Sequence, residues 1–467
     1  MIHVKTLILG GGMSGLSCAY HLNQAGDSDY LLVERSDEPG GLSRSIKLDG
    51  FVFDHTGHLL HLHNAYTKKL IPELLGNNIV ENERRAWIYS YGVYTRYPYQ
   101  ANLYGLPKKV IKECLDGLDL AQEHAKRKGD KLSENKQISA QDPLRDPQLP
   151  DFKNHRQPQT MHEWMQYTFG DGFGKHFFFP YNEKLWCISS EELTVEWVAP
   201  FVPRPSMEEI KEGAYHDQTK QFGYNAKFYY PREGGIQALA FAFAANLPGI
   251  RLNTSVKYID FSRKEARLST DEAVSYEYLV NTTPLTRFLD MTKDLPQTII
   301  DRRSLLRASS VYDINLGINR PDISENKKHW IYFPEKKYRF YRVGFPMNFS
   351  DRTTPPGCSS MYVEIGYRHE EPFDEKQAMD DAVNGLLECN LLRNENEIIT
   401  RNILRIPIAY VTYDKNRTMV VDGDDGILSW LRSQNIYSIG RFGAWKYSYM
   451  EEAILEGLST AEKILGS

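Results

Sequence analysis

Val4-Lys5-Thr6-Leu7-Ile8-Leu9 runs directly into Gly10-Gly11-Gly12-Met13-Ser14-Gly15, and the residues from Ser14 to Ala25 follow with helical spacing. The apolar run reads as a buried strand, and Leu16, Ala19, Tyr20 and Leu22 give the helix an apolar stripe. A G-x-G-x-x-G pattern means little alone, but between a strand and a helix it has the context it needs. Gly10 permits the tight turn, Gly12 lets backbone approach a pyrophosphate, and Gly15 lets the helix pack on the strand. The start of the helix offers free N–H groups and a partial positive charge. Glu34 ends a second apolar strand, Tyr30–Val33, 19 positions beyond Gly15, where a carboxylate accepts from ribose hydroxyls. The N-terminus is therefore expected to hold a dinucleotide on a Rossmann-like unit.

Two further stretches decide between dinucleotides. Gly40-Gly41-Leu42-Ser43-Arg44 sets a glycine pair before an arginine, suited to a pyrophosphate or a flavin edge. Gly440-Arg441-Phe442-Gly443 lies between the last predicted strand and the last helix, and brings another cation and another helix start to an extended cofactor. Both ends of the chain closing on one site fit FAD better than NAD. Gly170-Asp171-Gly172-Phe173-Gly174 has no strand before it and is rejected, so no dedicated NAD domain is expected.

The remaining composition excludes more than it assigns. A chain of 467 residues is expected to form two or three domains. A formal net charge of -5 offers no basic field for nucleic acid. Five cysteines at long spacings, with no C-x-x-C pair, argue against a zinc knuckle or a disulfide framework and for reduced thiols. A metal role for the run His58, His61, His63 lacks carboxylate or cysteine partners, so no metal is expected. With no leader signature and no apolar run of about 18 residues, a soluble cytoplasmic protein acting on a small molecule is expected, its oligomeric state open.

Along the chain, strands are expected at Gly50–Asp54, Trp87–Tyr97, Val256–Phe261 and Tyr278–Thr282, with a last one at Ile436–Ile439. Helices are expected at Pro107–His124, Met161–Phe179, Glu208 onward, Gly235–Leu247, Glu375–Leu391 and Tyr449–Leu465. Val311–Leu316, Trp330–Phe333, Tyr341–Phe345 and Met361–Tyr367 suggest an antiparallel sheet. Lys126–Gln159 is charged and proline-containing, and reads as a loop or insertion.

These residues, taken with several longer stretches, resemble the flavin-dependent UDP-galactopyranose mutases of the longer, eukaryotic-like type, over nearly the whole chain. The matching stretches are Gly57-His58, Arg96-Tyr97-Pro98-Tyr99-Gln100, Pro180-Tyr181-Asn182-Glu183-Lys184-Leu185-Trp186, Tyr224-Asn225-Ala226, Tyr230-Pro231-Arg232-Glu233-Gly234-Gly235, Trp330-Ile331-Tyr332-Phe333-Pro334, Phe340-Tyr341-Arg342 and Gly440-Arg441-Phe442-Gly443-Ala444-Trp445-Lys446-Tyr447. The glycine-rich start is shared with amine oxidases, protoporphyrinogen oxidases and phytoene desaturases and does not discriminate. The resemblance implies pyranose–furanose exchange on a nucleotide sugar, with the N5 of reduced FAD as nucleophile and NAD(P)H a candidate reductant.

Carried over position by position, the resemblance implies that Gly10, Gly12, Met13, Ser14, Gly15, Glu34, Arg35, Gly41, Leu42, Arg44, Val256, Gly440, Arg441 and Met450 touch the cofactor. Gly57 and His58 would lie at the flavin N5 edge. Arg342, Tyr410 and Tyr447 would hold the substrate diphosphate, Tyr447 also reaching the cofactor. Gln100, Tyr181, Asn182, Trp186 and Asn225 would bind the nucleotide or its loops, and Trp330 and Tyr332 would flank the sugar. The implied fold class is α/β: a Rossmann-like FAD-binding domain (1–60, 225–300, 405–467), an inserted helical domain (101–222, with the polar loop 126–159), and an antiparallel-sheet substrate domain (61–100, 301–404). One position departs from the family. Where the family has a second diphosphate arginine, before Pro-Tyr-Asn, this chain has Phe179. That loss weakens anion binding by about 2–3 kcal/mol, unless Arg339, Lys336 or another cation compensates. The polar residues the family carries after the final Trp-x-Tyr are also replaced, by Ser448-Tyr449-Met450-Glu451. The alternatives are an FAD-dependent oxidase or desaturase of the amine-oxidase or protoporphyrinogen-oxidase type, and a flavoprotein that binds without turnover.

Overall fold

The computed structural model describes residues 1–128, 158–197, 201–223, 225–372 and 374–466, so most of the expected polar loop at 126–159 lies outside the described residues. The first strand, Ile2–Leu9, sits between two parallel neighbours, Ala273–Asn281 and Tyr30–Val33. Thr6 to Leu9 are buried on both faces, which is why they read as one apolar run rather than an alternation. This sheet has seven strands, and Ile436–Ser438 joins it parallel to Ala273–Asn281. The helix Met13–Gln24 follows the glycine turn, and the last helix, Met450–Leu465, lies across it. They approach closely at Gly457, where a Cβ would stand 2.6 Å from the Ser14 carbonyl oxygen, and Ser17 Oγ donates to Ile454 O at 2.6 Å. The two ends of the chain thus meet around one turn.

The second sheet also has seven strands, in the order Ile398–Val411, Ala308–Ile318, Ser359–Arg368, Arg342–Gly344, Trp330–Tyr332, Ala86–Ser90, Val93–Arg96. Its pairs are antiparallel with one exception, Trp330–Tyr332 beside Ala86–Ser90, which run parallel because they arrive from distant parts of the chain. The strict alternation of strand side chains sorts the sheet. Tyr312, Ile314, Leu316, Ile331, Val343, Met361, Val363 and Ile365 form an apolar core with the helix Glu375–Glu388. The opposite face carries Asp313, Asn315, Glu364, Tyr362, Arg342 and Tyr332, in rows set by the register.

The longest strand, Ile398–Val411, was not legible in the sequence. Pro407 and the charged Arg401 and Arg405 break its pattern. It is an edge strand, and the register slips between Ile406 and Tyr410, around Pro407, so the missing N–H leaves no gap in the ladder. It runs through position 404, so the second sheet reaches past the expected boundary there. The helices differ in one respect from the sequence pattern. The expected helix Met161–Phe179 continues to Trp186, with a break at Gly170 (φ 80°), where the chain passes the backbone of Gly117 in the helix Lys108–Lys128. Among the described residues no helix is long and apolar enough to cross a membrane, all five cysteines are free, and no group of three or more His, Cys, Asp or Glu could hold a metal ion.

Candidate active site

The turn from Gly10 to Gly15 is built as the glycine pattern requires. A Cβ on Gly15 would lie 2.1 Å from the Gly10 carbonyl oxygen, so only glycine lets the helix sit this close to the strand. Gly12 is different. A Cβ there would meet nothing nearer than the Gly41 Cα at 4.0 Å. No protein neighbour demands a glycine at position 12; the space above it is open. Gly12 caps the helix with no side-chain bond, so the first N–H groups, at Met13, Ser14 and Gly15, keep their capacity for an anion. Glu34, 7% exposed, accepts from the Gly11 N–H at 2.7 Å and the Ser36 N–H at 2.8 Å, one on each carboxylate oxygen. Each oxygen keeps a further lone pair for a ribose hydroxyl.

Around this turn the other glycine segments converge. Gly40 N–H donates to Gly11 O at 2.7 Å, and Ser43 Oγ lies 3.4 Å from the Met450 sulfur. A Cβ on Gly440 would lie 2.3 Å from Ser14 Oγ. Leu42 is half-buried beside them, and Arg35 is exposed. Val256 begins the strand beside the Glu34 loop, where Thr254 N–H donates to Glu34 O at 2.8 Å. Arg44 Nη2 lies 2.9 Å from Asp37 and 3.8 Å from Glu38, while no acceptor among the described residues reaches its buried Nε. The open space over Gly12, the uncapped helix start, the spare lone pairs of Glu34 and the Arg44 Nε together fit an adenine dinucleotide in extended form.

The second sheet turns its polar face towards the Thr56–His58 turn, where Asp313 accepts the Thr56 N–H and Tyr362 meets Gly57. Arg342 makes a two-pronged ion pair with the fully buried Glu364, Nη2 to Oε1 at 2.7 Å and Nε to Oε2. Tyr332 packs on Tyr97 at 5.4 Å and Tyr181 at 5.2 Å. Tyr410 and Tyr447 stack 6.3 Å apart, with Trp186 at 5.5 and 5.9 Å. Arg441 sits over both tyrosine rings, at 5.0 and 5.1 Å, and donates to Ala409 O and Ser448 O. Burial pushes the Tyr410 phenol up to about 12, opposed by Arg342, so it is a neutral donor at pH 7. Burial, then Arg441 and His55, hold the His58 imidazole down at about 3, so it is neutral too. Gly57 faces the Tyr362 hydroxyl so closely that a Cβ would lie 2.1 Å from it.

Other expected residues are occupied differently. Gln100, fully buried, donates to Pro203 O; Asn182 Nδ2 donates to Phe178 O at 2.8 Å; and Asn225 accepts from Arg84. These three hold loops and a helix. Trp330 is buried against Phe228 at 6.2 Å. Phe179 stacks on His162, 4.1 Å between centroids, and packs over Gly174 inside the helical region. Arg339 and Lys336 are exposed on the turn after Trp330–Tyr332. The other cation acting on Tyr332 is Arg84, 1% exposed, which lies 5.0 Å over the Tyr97 ring and donates to Phe222 O at 2.6 Å. Sequence reasoning missed Arg84 and Glu364, and named Glu451 only as a departure from the family. Glu451 Oε1 takes the N–H groups of His63 and Asn64 at 2.8 and 2.9 Å and the Thr67 hydroxyl, which pins the histidine run to the last helix. The only signal for Glu364 was an acid within an otherwise uncharged strand run, Met361–Tyr367.

The family model of flavin-containing amine oxidoreductases matches residues 13–465. A crystal structure of reduced UDP-galactopyranose mutase superposes with a TM-score of 0.87 at 28% identity, covering 99% of this chain and 96% of that one. Putrescine oxidase bound to putrescine superposes at 0.63 with 16% identity over the whole of both chains, a likeness of fold alone. A Dictyostelium discoideum protein described as a probable flavin-containing monoamine oxidase A is 35% identical over 68 residues, a stretch that spans 15% of this chain and 15% of that protein.

Proposed function

Because the chain belongs to the flavin-containing amine oxidoreductases, we propose that it holds FAD in the cradle around Gly12 and uses it in reduced form as a mutase-like enzyme on a nucleotide sugar. The observation that carries this reading is the full-length likeness to UDP-galactopyranose mutase, a TM-score of 0.87 at 28% identity. Reduced flavin supplies a nucleophile to the anomeric carbon of a sugar. The rest is done by the chain. The helix start at Met13–Gly15 neutralises the pyrophosphate, and Glu34 orients the ribose. Gly57 and His58 border the reacting edge, the neutral imidazole excluding water without adding charge. Tyr410 and Tyr447 donate to the substrate diphosphate beside Arg342. Trp186 and Tyr181 wall the nucleotide, and Tyr332 the sugar. Arg84, buried against Tyr97, adds positive potential at Tyr332.

Two observations favour a second reading, an oxidase. The Arg342 fork is already taken by a fully buried carboxylate, and Phe179 has replaced the second arginine, so the net positive charge offered to a diphosphate is small. Screening nucleotide sugars against dithionite-reduced protein separates the two. A mutase interconverts ring forms only when reduced and consumes no NAD(P)H. Flavin reduction by an amine or polyol substrate, with oxygen uptake and no nucleotide-sugar binding by flavin fluorescence, would overturn the mutase reading. Arg342→Ala is expected to weaken nucleotide-sugar binding roughly 30- to 150-fold, about 2–3 kcal/mol.

A further inference from the structure

Asp313 has no part in the reading above, yet it is fully buried on the polar face of the second sheet, against the Thr56 turn. Its Oδ2 accepts the Thr56 N–H at 3.0 Å and the Asn315 side-chain amide at 3.1 Å. No donor among the described residues reaches its Oδ1. Glu364 is its direct neighbour across the strands, and Arg342 is the next residue in the same row. Side chains so placed are about 4.5–5.5 Å apart at Cβ. Arg342 gives its fork to Glu364 alone. A second bare carboxylate beside that pair, shut off from water, would be a buried charge without a cation. A proton on Asp313 resolves this. Burial first, and then Glu364, push the Asp313 carboxyl up to about 8, while the Thr56 and Asn315 donors and Arg342 pull the other way.

The other partner explains what that carboxyl is for. Thr56 has a φ of 69°, in the left-handed region, where a β-branched residue is strained. Such a conformation persists only when the surroundings hold it. Thr56 opens the turn that carries Gly57 and His58, and the His58 N–H bonds back to Thr56 O at 3.0 Å. On the far side, Tyr362 fills the space against Gly57 and Gly344.

We propose that Asp313 is a positioning residue, a neutral carboxyl that holds the Thr56–His58 turn at the flavin edge and couples that turn to the Glu364–Arg342 pair. The proposal rests on flavin occupying the cradle and not on the identity of the substrate. Loss of the proton sets two carboxylates in competition for Arg342 and disturbs the turn. The groups facing Asp313 are Thr56, Asn315, Glu364, Arg342 and Tyr362. His55 and His58, held at about 4 and about 3, are silent in that range.

The test is a pH titration of the visible spectrum of the oxidised holoprotein. The wild type is expected to show a one-proton change centred near pH 8. Asp313→Asn, which keeps the size and an acceptor for Thr56, is expected to hold the low-pH spectrum throughout and to lose one carboxylic-acid stretch from the infrared spectrum at pH 6. Glu364→Gln is expected to move the midpoint to lower pH. A transition that persists unmoved in Asp313→Asn, or an infrared spectrum identical to the wild type, would overturn the proposal. Both readouts are independent of turnover, so a failed sugar screen leaves them intact.

Discussion

The cradle from Gly10 to Gly15 is made of backbone, and the polar face of the second sheet is made of side chains. In the cradle, position is set by what is missing: no Cβ at Gly15, and none at Gly12 over open space. Across the sheet, position is set by register, with Asp313, Glu364, Arg342 and Tyr332 in one row drawn from four strands. Backbone sites are robust to charge and intolerant of volume. Side-chain rows have the opposite weakness, since removing one member leaves its neighbour buried and unpaired.

The contrast breaks most visibly at Gly15. Gly15→Val forces a Cβ to 2.1 Å from a carbonyl oxygen, and the protein is expected to be recovered colourless, with a melting temperature lowered by 10 °C or more, roughly 3 kcal/mol or above at the ~2–4 °C per kcal/mol expected of large domains. Next comes Arg342→Met, which strands Glu364 and is expected to cost about 3–5 kcal/mol in denaturant unfolding. The double variant Arg342→Met/Glu364→Leu is expected to recover most of that loss. If the double variant is as unstable as the single, the row is not held by the ion pair. Gly12→Val sharpens the comparison from the other side. Its own unfolding is expected to change by under about 1 kcal/mol, because the added Cβ meets nothing nearer than the Gly41 Cα at 4.0 Å. Added FAD, however, is expected no longer to raise the melting temperature, a loss of about 2.7 kcal/mol or more if FAD normally stands at 100 times its dissociation constant.

The same contrast explains what could be read from the sequence. Gly10 to Gly15 and Glu34 lie within 25 positions, and their meaning is local: strand, turn, helix, strand. Gly440-Arg441-Phe442-Gly443 was legible because it too joins a strand to a helix start, although Arg441 spends its donors on Ala409 O and Ser448 O. The second sheet was visible only as separate strands. Glu364 and Asp313 gain their meaning from a cross-strand neighbour some 50 positions away, 364 against 313, which periodicity does not encode. Ile398–Val411 escaped notice because an edge strand with a proline at a register slip need not alternate cleanly. The resemblance named Arg342 but not the carboxylate that occupies its fork, and Arg84 entered only when Tyr97 and Tyr332 were seen packed together.

The smallest expected effect lies where the two regions touch. His55 and His58 follow directly on the strand Phe51–Asp54 and are held neutral down to about 4 and about 3, chiefly by burial, with Arg44 beside the first and Arg441 beside the second. In the unfolded chain both take a proton near pH 6.5. Between those values the unfolded state binds more protons than the native one, so stability rises with pH and is lost as pH falls from 6.5 towards 4. Each histidine contributes up to about 1.4 kcal/mol per pH unit in that window. His58→Asn removes one titrating group and is expected to flatten the decline of the urea midpoint between pH 6.5 and 5 by that single proton. Asp54, raised by burial to about 6, pulls the other way below that pH, and it is common to both proteins. The difference between the two curves therefore isolates His58. An unchanged slope would mean that His58 takes up its proton in the native state, and a charged imidazole between Arg441 and Arg342 would then leave the turn at Gly57 without the neutral wall assigned to it.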